Sequence, residues 1–159
     1  MAYSTRLSLI LVAGCLATGC TTRMSISRPN FSGTWVLDLS RSSLEIPAPD
    51  SSIFVIDHDE PQLVAERTHV LGGEANTVRT ALETDSVLRS VRVGDLEIPT
   101  RVYWDGDALV LEQEWSQGDV QITNHVRYTL ADKGETMVAD EHMRAGPDSH
   151  HNVWTFQRR

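Results

Sequence analysis

From Phe31 onward, the chain consists of short runs in which apolar and polar side chains alternate, each ended by glycine, aspartate or proline. Alternation with a period of two is typical of strands with one buried face, and no segment keeps the period of an amphipathic helix. The pattern predicts strands at approximately 31–39, 53–58, 62–70, 77–84, 99–104, 108–115, 120–131, 136–144 and 152–158. Such spacing predicts an all-β antiparallel meander, either a barrel or a sandwich.

Three predicted connections contain a dipeptide that ends in glycine. They are Asp105-Gly106, Gln117-Gly118 and Lys133-Gly134. Two-residue hairpin turns need positive φ, which glycine adopts without steric cost. If these dipeptides are the turn tips, the facing pairs are Val102–Leu109, Leu111–Asn124, Tyr128–Ala139 and Leu130–Met137.

These registers divide the side chains of four strands into two faces. One face is largely apolar and is predicted to be the interior: Val102, Trp104, Leu109, Leu111, Gln113, Trp115, Val120, Ile122, Asn124, Val126, Tyr128, Leu130, Met137, Ala139, Glu141 and Met143. The other is charged and is predicted to be the exterior: Arg101, Glu112, Glu114, His125, Arg127, Asp140, His142 and Arg144. A slip of one residue would exchange the two faces.

The first residues form a separate targeting segment. Arg6 precedes an apolar stretch at 7–17, which is too short to span a bilayer. Cys15 and Cys20 each end a run of small residues and resemble the lipobox of bacterial lipoproteins. The resemblance implies a signal peptide at 1–19 and lipidation at Cys20, with Cys15 as the alternative site. Signal cleavage without a lipid is the other interpretation. A linker at 20–29 and a barrel domain at 30–159 would follow.

Charge limits the class of partner. Removal of residues 1–19 removes one arginine and no acidic residue, so the net charge would move from −8 to −9. An acidic domain without a basic stripe is a poor ligand for nucleic acid. Nucleic acid is therefore not expected as a partner. We also expect a monomer that contacts a membrane through its lipid anchor. By resemblance to bacterial lipoproteins, the absence of Asp after Cys20 implies the outer membrane, facing the periplasm.

The segment Asn30-Phe31-Ser32-Gly33-Thr34-Trp35 resembles the first motif of the lipocalins and the wider calycin superfamily. In those proteins a Gly-x-Trp lies at the closed end of an up-and-down barrel of about eight to ten strands, and a late arginine packs across the tryptophan. The resemblance implies a barrel floor formed by Gly33, Trp35 and Arg158. Thr84-Asp85 lacks the aromatic residue of the second lipocalin motif, so the broader calycin group is the better match.

The predicted function is that of an exported barrel which binds a small hydrophobic or amphipathic molecule in its lumen. Polar residues that interrupt the apolar lining would orient the ligand. The predicted ligand-binding residues are Trp104, Leu109, Leu111, Gln113, Trp115, Asn124, Val126, Tyr128, Glu141 and Met143. No cofactor is predicted.

Two alternatives remain. One is an isomerase, lyase or hydrolase of an apolar substrate, with Glu141 and Tyr128 as acid and base; against it, the chain has no nucleophile elbow, phosphate loop or zinc-protease motif. The other is a structural envelope lipoprotein with a filled barrel. His125 and His142 face one another on the predicted exterior, but Asp140 is expected to pair with Arg127. No metal site is therefore predicted.

Overall fold

The computed structural model describes residues 28–159, which form one antiparallel sheet of ten strands. The predicted signal peptide, with Cys15 and Cys20, lies outside the described residues. Within 28–159, no helix has the length and apolar character needed to cross a membrane.

The strands follow one another along the chain with short connections. They are β1 (Gly33–Leu37), β2 (Ser51–Asp59), β3 (Gln62–Leu71), β4 (Glu74–Glu83), β5 (Arg89–Val93), β6 (Leu96–Asp105), β7 (Ala108–Gln117), β8 (Val120–Ala131), β9 (Thr136–Ala145) and β10 (Asp148–Arg158). Two single 3-10 turns occur, at Leu39–Arg41 and Asp132–Gly134.

The sheet curls into a nearly closed barrel. Each strand pairs with its neighbour in sequence, and β1 also pairs with β10, so the spatial order is β4-β3-β2-β1-β10-β9-β8-β7-β6-β5. The β4 and β5 strands lie side by side without a hydrogen-bonded ladder, which leaves one seam in the wall. The predicted all-β up-and-down barrel is confirmed, and this architecture is compatible with a lipocalin-like fold.

The prediction missed β5. Three of its five residues are arginine or serine, so the segment is too polar to suggest a strand. It forms because its ladder with β6 brings Val91 opposite Ile98, and both side chains are buried. Packing by the partner strand thus overrides a weak local pattern.

Two of the three predicted registers are wrong by two residues. Leu111 faces Val102 across β6 and β7, and it faces Val126 across β7 and β8. The turn tips begin at Gly106 and Gly118, both with φ of +61°, so glycine is the first turn residue and not the second. The register of β8 with β9 is as predicted.

A shift of two residues keeps every side chain on its face, since strand side chains alternate with a period of two. Val102, Leu109, Val126 and Met137 are accordingly buried in one core, as predicted for the interior. The predicted exterior faces outward: its members Arg101, Glu114, His125, His142 and Arg144 are exposed. One exception is Val120, which is 43% exposed at the end of its strand.

One end of the barrel is closed by its first and last strands. The Arg158 guanidinium carbon lies 4.2 Å from the centre of the Trp35 ring, and Trp35 is fully buried. Arg158 donates hydrogen bonds to the carbonyls of Ser32 and Gly134. Gly33 has φ of +141°, and a Cβ there would lie 2.5 Å from an Arg158 nitrogen. Glycine is therefore required where this arginine crosses β1.

Candidate functional site in the barrel lumen

The lumen contains an apolar cavity of about 50 Å³ beside the closed end. Its walls come from both halves of the barrel, and its lining residues are Phe31, Phe54, Ile56, Leu63, Ala65, Leu82, Val102, Leu109, Leu111, Tyr128 and Met137. The packed residues around it, with Trp35, Met137 and Phe156 at 1% exposure or less, leave little other free space there.

An arginine lies inside the barrel next to this cavity. Arg67 is on the inward face of β3, and its guanidinium carbon is 5.0 Å from the ring centres of both Phe54 and Trp154. Its Nε donates to Ser52 Oγ at 3.0 Å. Desolvation lowers the pKa of Arg67, while the nearby Tyr128 and Glu141 oppose that shift. Among the described residues, no hydrogen-bond partner is found for its two terminal nitrogens.

Glu141 reaches the lumen from β9 on the opposite wall. Its Oε2 accepts hydrogen bonds from Trp154 Nε1 at 2.8 Å and from Asn152 Nδ2 at 3.1 Å. Neither donor was among the predicted ligand-binding residues. The donors come from β10, on the other side of β9, because Asn152 lies directly opposite Glu141 in that ladder.

Tyr128 joins the apolar cavity to these polar groups. Desolvation raises its pKa to about 12, and Glu141 adds to the shift whereas Arg67 opposes it. The hydroxyl is therefore a hydrogen-bond donor at neutral pH and a poor base. No partner for this hydroxyl is found within residues 28–159. Together, Arg67, Tyr128, Glu141, Asn152 and Trp154 form what we call the inner cluster.

Further polar side chains continue along the lumen. Gln113 donates to Thr100 Oγ1 at 3.1 Å, and Asn124 Nδ2 lies 3.5 Å from Gln113 Oε1. Asn124 Oδ1 is buried, and so is Nδ1 of His69; neither has a partner among the described residues. Burial, assisted by the positive charge of Arg67, lowers the pKa of His69. Buried polar atoms without partners are uncommon and indicate a site for water or a ligand.

The other predicted ligand residues are spread along the lumen. Leu109 and Leu111 line the apolar cavity, and Val126 belongs to the core. Trp115 and Met143 are half-buried at the end of the barrel away from Trp35. Trp104 lies near the closed end. Its Nε1 donates to Glu60 Oε1 at 2.8 Å, and its ring stacks on His58 with 6.0 Å between the ring centres.

Sequence patterns missed four residues of this region: Ser52, Arg67, His69 and Asn152. The first three lie on β2 and β3, for which no register was derived. The Gly72-Gly73 dipeptide and Pro61 were the available signals, because Leu71 pairs with Glu74 and Asp59 pairs with Gln62 across these turns. If both are taken as turn tips, Arg67 lies opposite Phe54 and His69 opposite Ser52, on the inward face of β3.

The exterior of β8 to β10 also differs from the prediction in one contact. Arg127 lies opposite Asp140, as predicted, yet its guanidinium pairs with Asp105 instead. Asp140 is thereby left to accept from His142 and His151. The expected ion pair was one reason for predicting no metal site, and that reason does not hold.

No protein-family model matches the chain, and a search of curated proteins finds no significant match.

Proposed function

We propose that the barrel binds a small amphipathic molecule whose acceptor-bearing head group, such as a carboxylate, lies at Arg67 and whose short apolar group enters the cavity. The observation that carries this proposal is the inner cluster itself. It presents donors without protein partners beside an apolar space, within the described residues.

The donors determine which head group fits. Arg67 offers the planar fork of a guanidinium, which matches the two oxygens of a carboxylate. Tyr128 adds a hydroxyl donor, since its pKa of about 12 keeps it protonated. Glu141 Oε2 accepts from Asn152 and Trp154, and among the described residues no ion pair joins Glu141 to Arg67. A ligand that accepts hydrogen bonds complements this arrangement.

The cavity limits the apolar part of the ligand. Drug-sized ligands occupy sites of about 300–1,000 Å³. The apolar cavity holds about 50 Å³, which exceeds a single water site but accommodates only a few carbon atoms. A ligand with a longer apolar chain requires the barrel to widen. The barrel can widen at the seam between β4 and β5 without breaking hydrogen bonds between strands, because no ladder joins these two strands.

A chain-length series tests the proposal. Butanoate, hexanoate and octanoate are titrated into ¹⁵N-labelled protein, and shifts are followed for amides of β2, β3, β8 and β9. Each added methylene is expected to strengthen binding about fourfold until the cavity is full. If no acid of the series shifts these signals, the proposal is wrong.

A variant and a neutral ligand locate the head group. Arg67→Gln is expected to weaken hexanoate binding at least about tenfold, in line with the loss of a charge-assisted hydrogen bond. Binding of hexanol, which lacks the carboxylate, should change much less. Equal loss for both ligands would place the head group elsewhere.

A filled structural barrel is the second candidate, and the dense packing near Trp35 favours it. Such a barrel would give no response to any ligand of the series. The alternative with Glu141 and Tyr128 as acid and base gains no support, because burial raises the pKa of Tyr128 to about 12 and the hydroxyl is therefore already protonated at neutral pH.

Lipidation at Cys20 and a site at the outer membrane remain part of the proposal. Arg28 is fixed at the closed end, where it donates to Gly106 O and lies 5.1 Å from the Trp104 ring centre. An anchor at Cys20 would thus hold the closed end nearest the membrane. Native mass spectrometry of detergent-extracted protein would report both an acylated Cys20 and a co-purified ligand; an unmodified Cys20 would exclude the anchor.

A further inference from the structure

Three potential metal ligands converge on the outer face of the barrel, on the side of the wall opposite the inner cluster. Asp140 and His142 are two residues apart on β9, so they share a face, and His151 lies directly opposite His142 on β10. We call these three residues the outer cluster. Their side chains are 46–60% exposed, so an ion from solvent can reach them.

The donor atoms already have nearly the spacing that a metal requires. Asp140 Oδ1 lies 3.2 Å from His142 Nε2 and 2.9 Å from His151 Nε2. All three ligand atoms lie within 4.8 Å of one another. In a tetrahedral zinc site, metal–ligand bonds of about 2.0–2.2 Å separate neighbouring donors by about 3.3–3.6 Å. Asp140 Oδ1 is within a few tenths of an ångström of that spacing from each imidazole nitrogen, and rotation of the exposed side chains would adjust the distance between the two imidazoles.

The backbone and the rings hold the histidines in place. The His142 and His151 rings stack with centres 4.2 Å apart and an angle of 9° between their planes. The His151 amide also donates to Glu45 Oε2 at 2.6 Å, which fixes β10 against the segment after β1. A rigid two-strand ladder with stacked rings reduces the entropy that ligand ordering would otherwise cost.

Neighbouring residues affect the site in opposite ways. His125 faces His142 from β8 and lines the same groove, where a side-chain rotation would supply a further imidazole. Arg144 also lines this groove and adds a positive charge that weakens cation binding. Arg127 does not compete for Asp140, because it pairs with Asp105.

We propose that Asp140, His142 and His151 bind a divalent transition-metal ion, Zn²⁺ in the first place. Two imidazoles and one carboxylate are typical ligands of Zn²⁺ and other first-row transition-metal ions. They do not suit Mg²⁺ or Ca²⁺, which prefer oxygen ligands only. The fourth position is filled by water or by His125. Such a site is distinct from the ligand site in the lumen and does not depend on it.

Zinc titration of the full chain tests the proposal. The protein is prepared without a histidine tag, its two cysteines are alkylated because thiolates also bind zinc, and ZnCl2 is added in competition with a fluorescent chelator. We expect one ion per chain and no binding of Mg²⁺ at the same concentration. Co²⁺ should give the intense visible bands of a four-coordinate ion.

Variants locate the ion. His142→Ala and His151→Ala should each weaken zinc binding at least tenfold, and Asp140→Asn should weaken it to a smaller extent. His150→Ala is the matched control, because His150 borders the same groove but does not belong to the three converging ligands. The zinc affinity of this variant should equal that of the original chain. The proposal is overturned if zinc does not bind, or if the three variants bind it as tightly as the control.

Discussion

Strand β9 carries two carboxylates at successive positions, Asp140 and Glu141, which differ in the face they occupy and in the burial of their hydrogen-bond partners. Glu141 points into the lumen and accepts from Asn152 and Trp154, which are 1% and 5% exposed. Asp140 points outward and accepts from two histidines that are about half exposed. Strand alternation alone separates them.

This difference indicates what each carboxylate contributes. A buried hydrogen bond is costly to leave unmade, because the donors lose water and gain nothing in exchange. Surface ion pairs contribute little, because water solvates both partners. We therefore expect Glu141 to stabilise the fold, and Asp140 to matter when a cation is bound.

The largest expected effect is on folding. Glu141→Ala leaves Asn152 and Trp154 without their acceptor and should lower the free energy of unfolding by about 2–4 kcal/mol. Asp140→Ala should change it by less than about 0.5 kcal/mol in the presence of a chelator. Equilibrium unfolding in urea measures both variants. Equal losses would contradict the assignment of different roles to the two carboxylates.

The second effect appears when zinc is added. At ten times its dissociation constant, zinc should raise the free energy of unfolding by about 1.4 kcal/mol, since it binds the folded state. Glu141→Gln should retain this gain, and His142→Ala should lose it. The same urea titration with and without zinc gives the result. Loss of the gain in Glu141→Gln would show that the two faces are coupled.

A third, smaller effect separates binding from stability within the inner cluster. Arg67→Met keeps an unbranched side chain of similar length between the Phe54 and Trp154 rings. It should change the free energy of unfolding by less than about 1 kcal/mol, because apolar replacement of a buried charge is often neutral. Hexanoate binding, measured by NMR, should nevertheless be lost. Large destabilisation would make Arg67 a structural residue.

The smallest effect concerns pH. The pKa of His69 is lowered in the folded state, so the unfolded chain takes up a proton first as pH falls through about 6.5. His69 therefore leaves the free energy of unfolding unchanged above that pH and lowers it as the pH falls below that value. His69→Gln should remove this part of the decline, roughly a few tenths of a kcal/mol after allowance for solvent screening. Urea midpoints from pH 7.5 to 5.5 measure it. An unchanged pH profile would contradict it.

The sequence predicted the inward and outward faces of β6 to β9 because even register errors leave those faces unchanged. Leu109 and Leu111 were therefore placed on the correct face although their facing partners were wrong. The partners of Glu141 could not be found in this way. Its partners Asn152 and Trp154 lie on β10, and no turn dipeptide supplied a register for the ladder between β9 and β10.

The contacts of Arg158 at the closed end of the barrel also bear on the order of folding. Its hydrogen bond from Arg158 to Ser32 joins residues 126 positions apart in the chain. Contacts of such long sequence separation slow folding, because the loop entropy is lost before the contact is gained. The hairpins from β6 to β10 need only local contacts and can form earlier. We therefore expect the pairing of β1 with β10, which closes the barrel, to be a late step of folding.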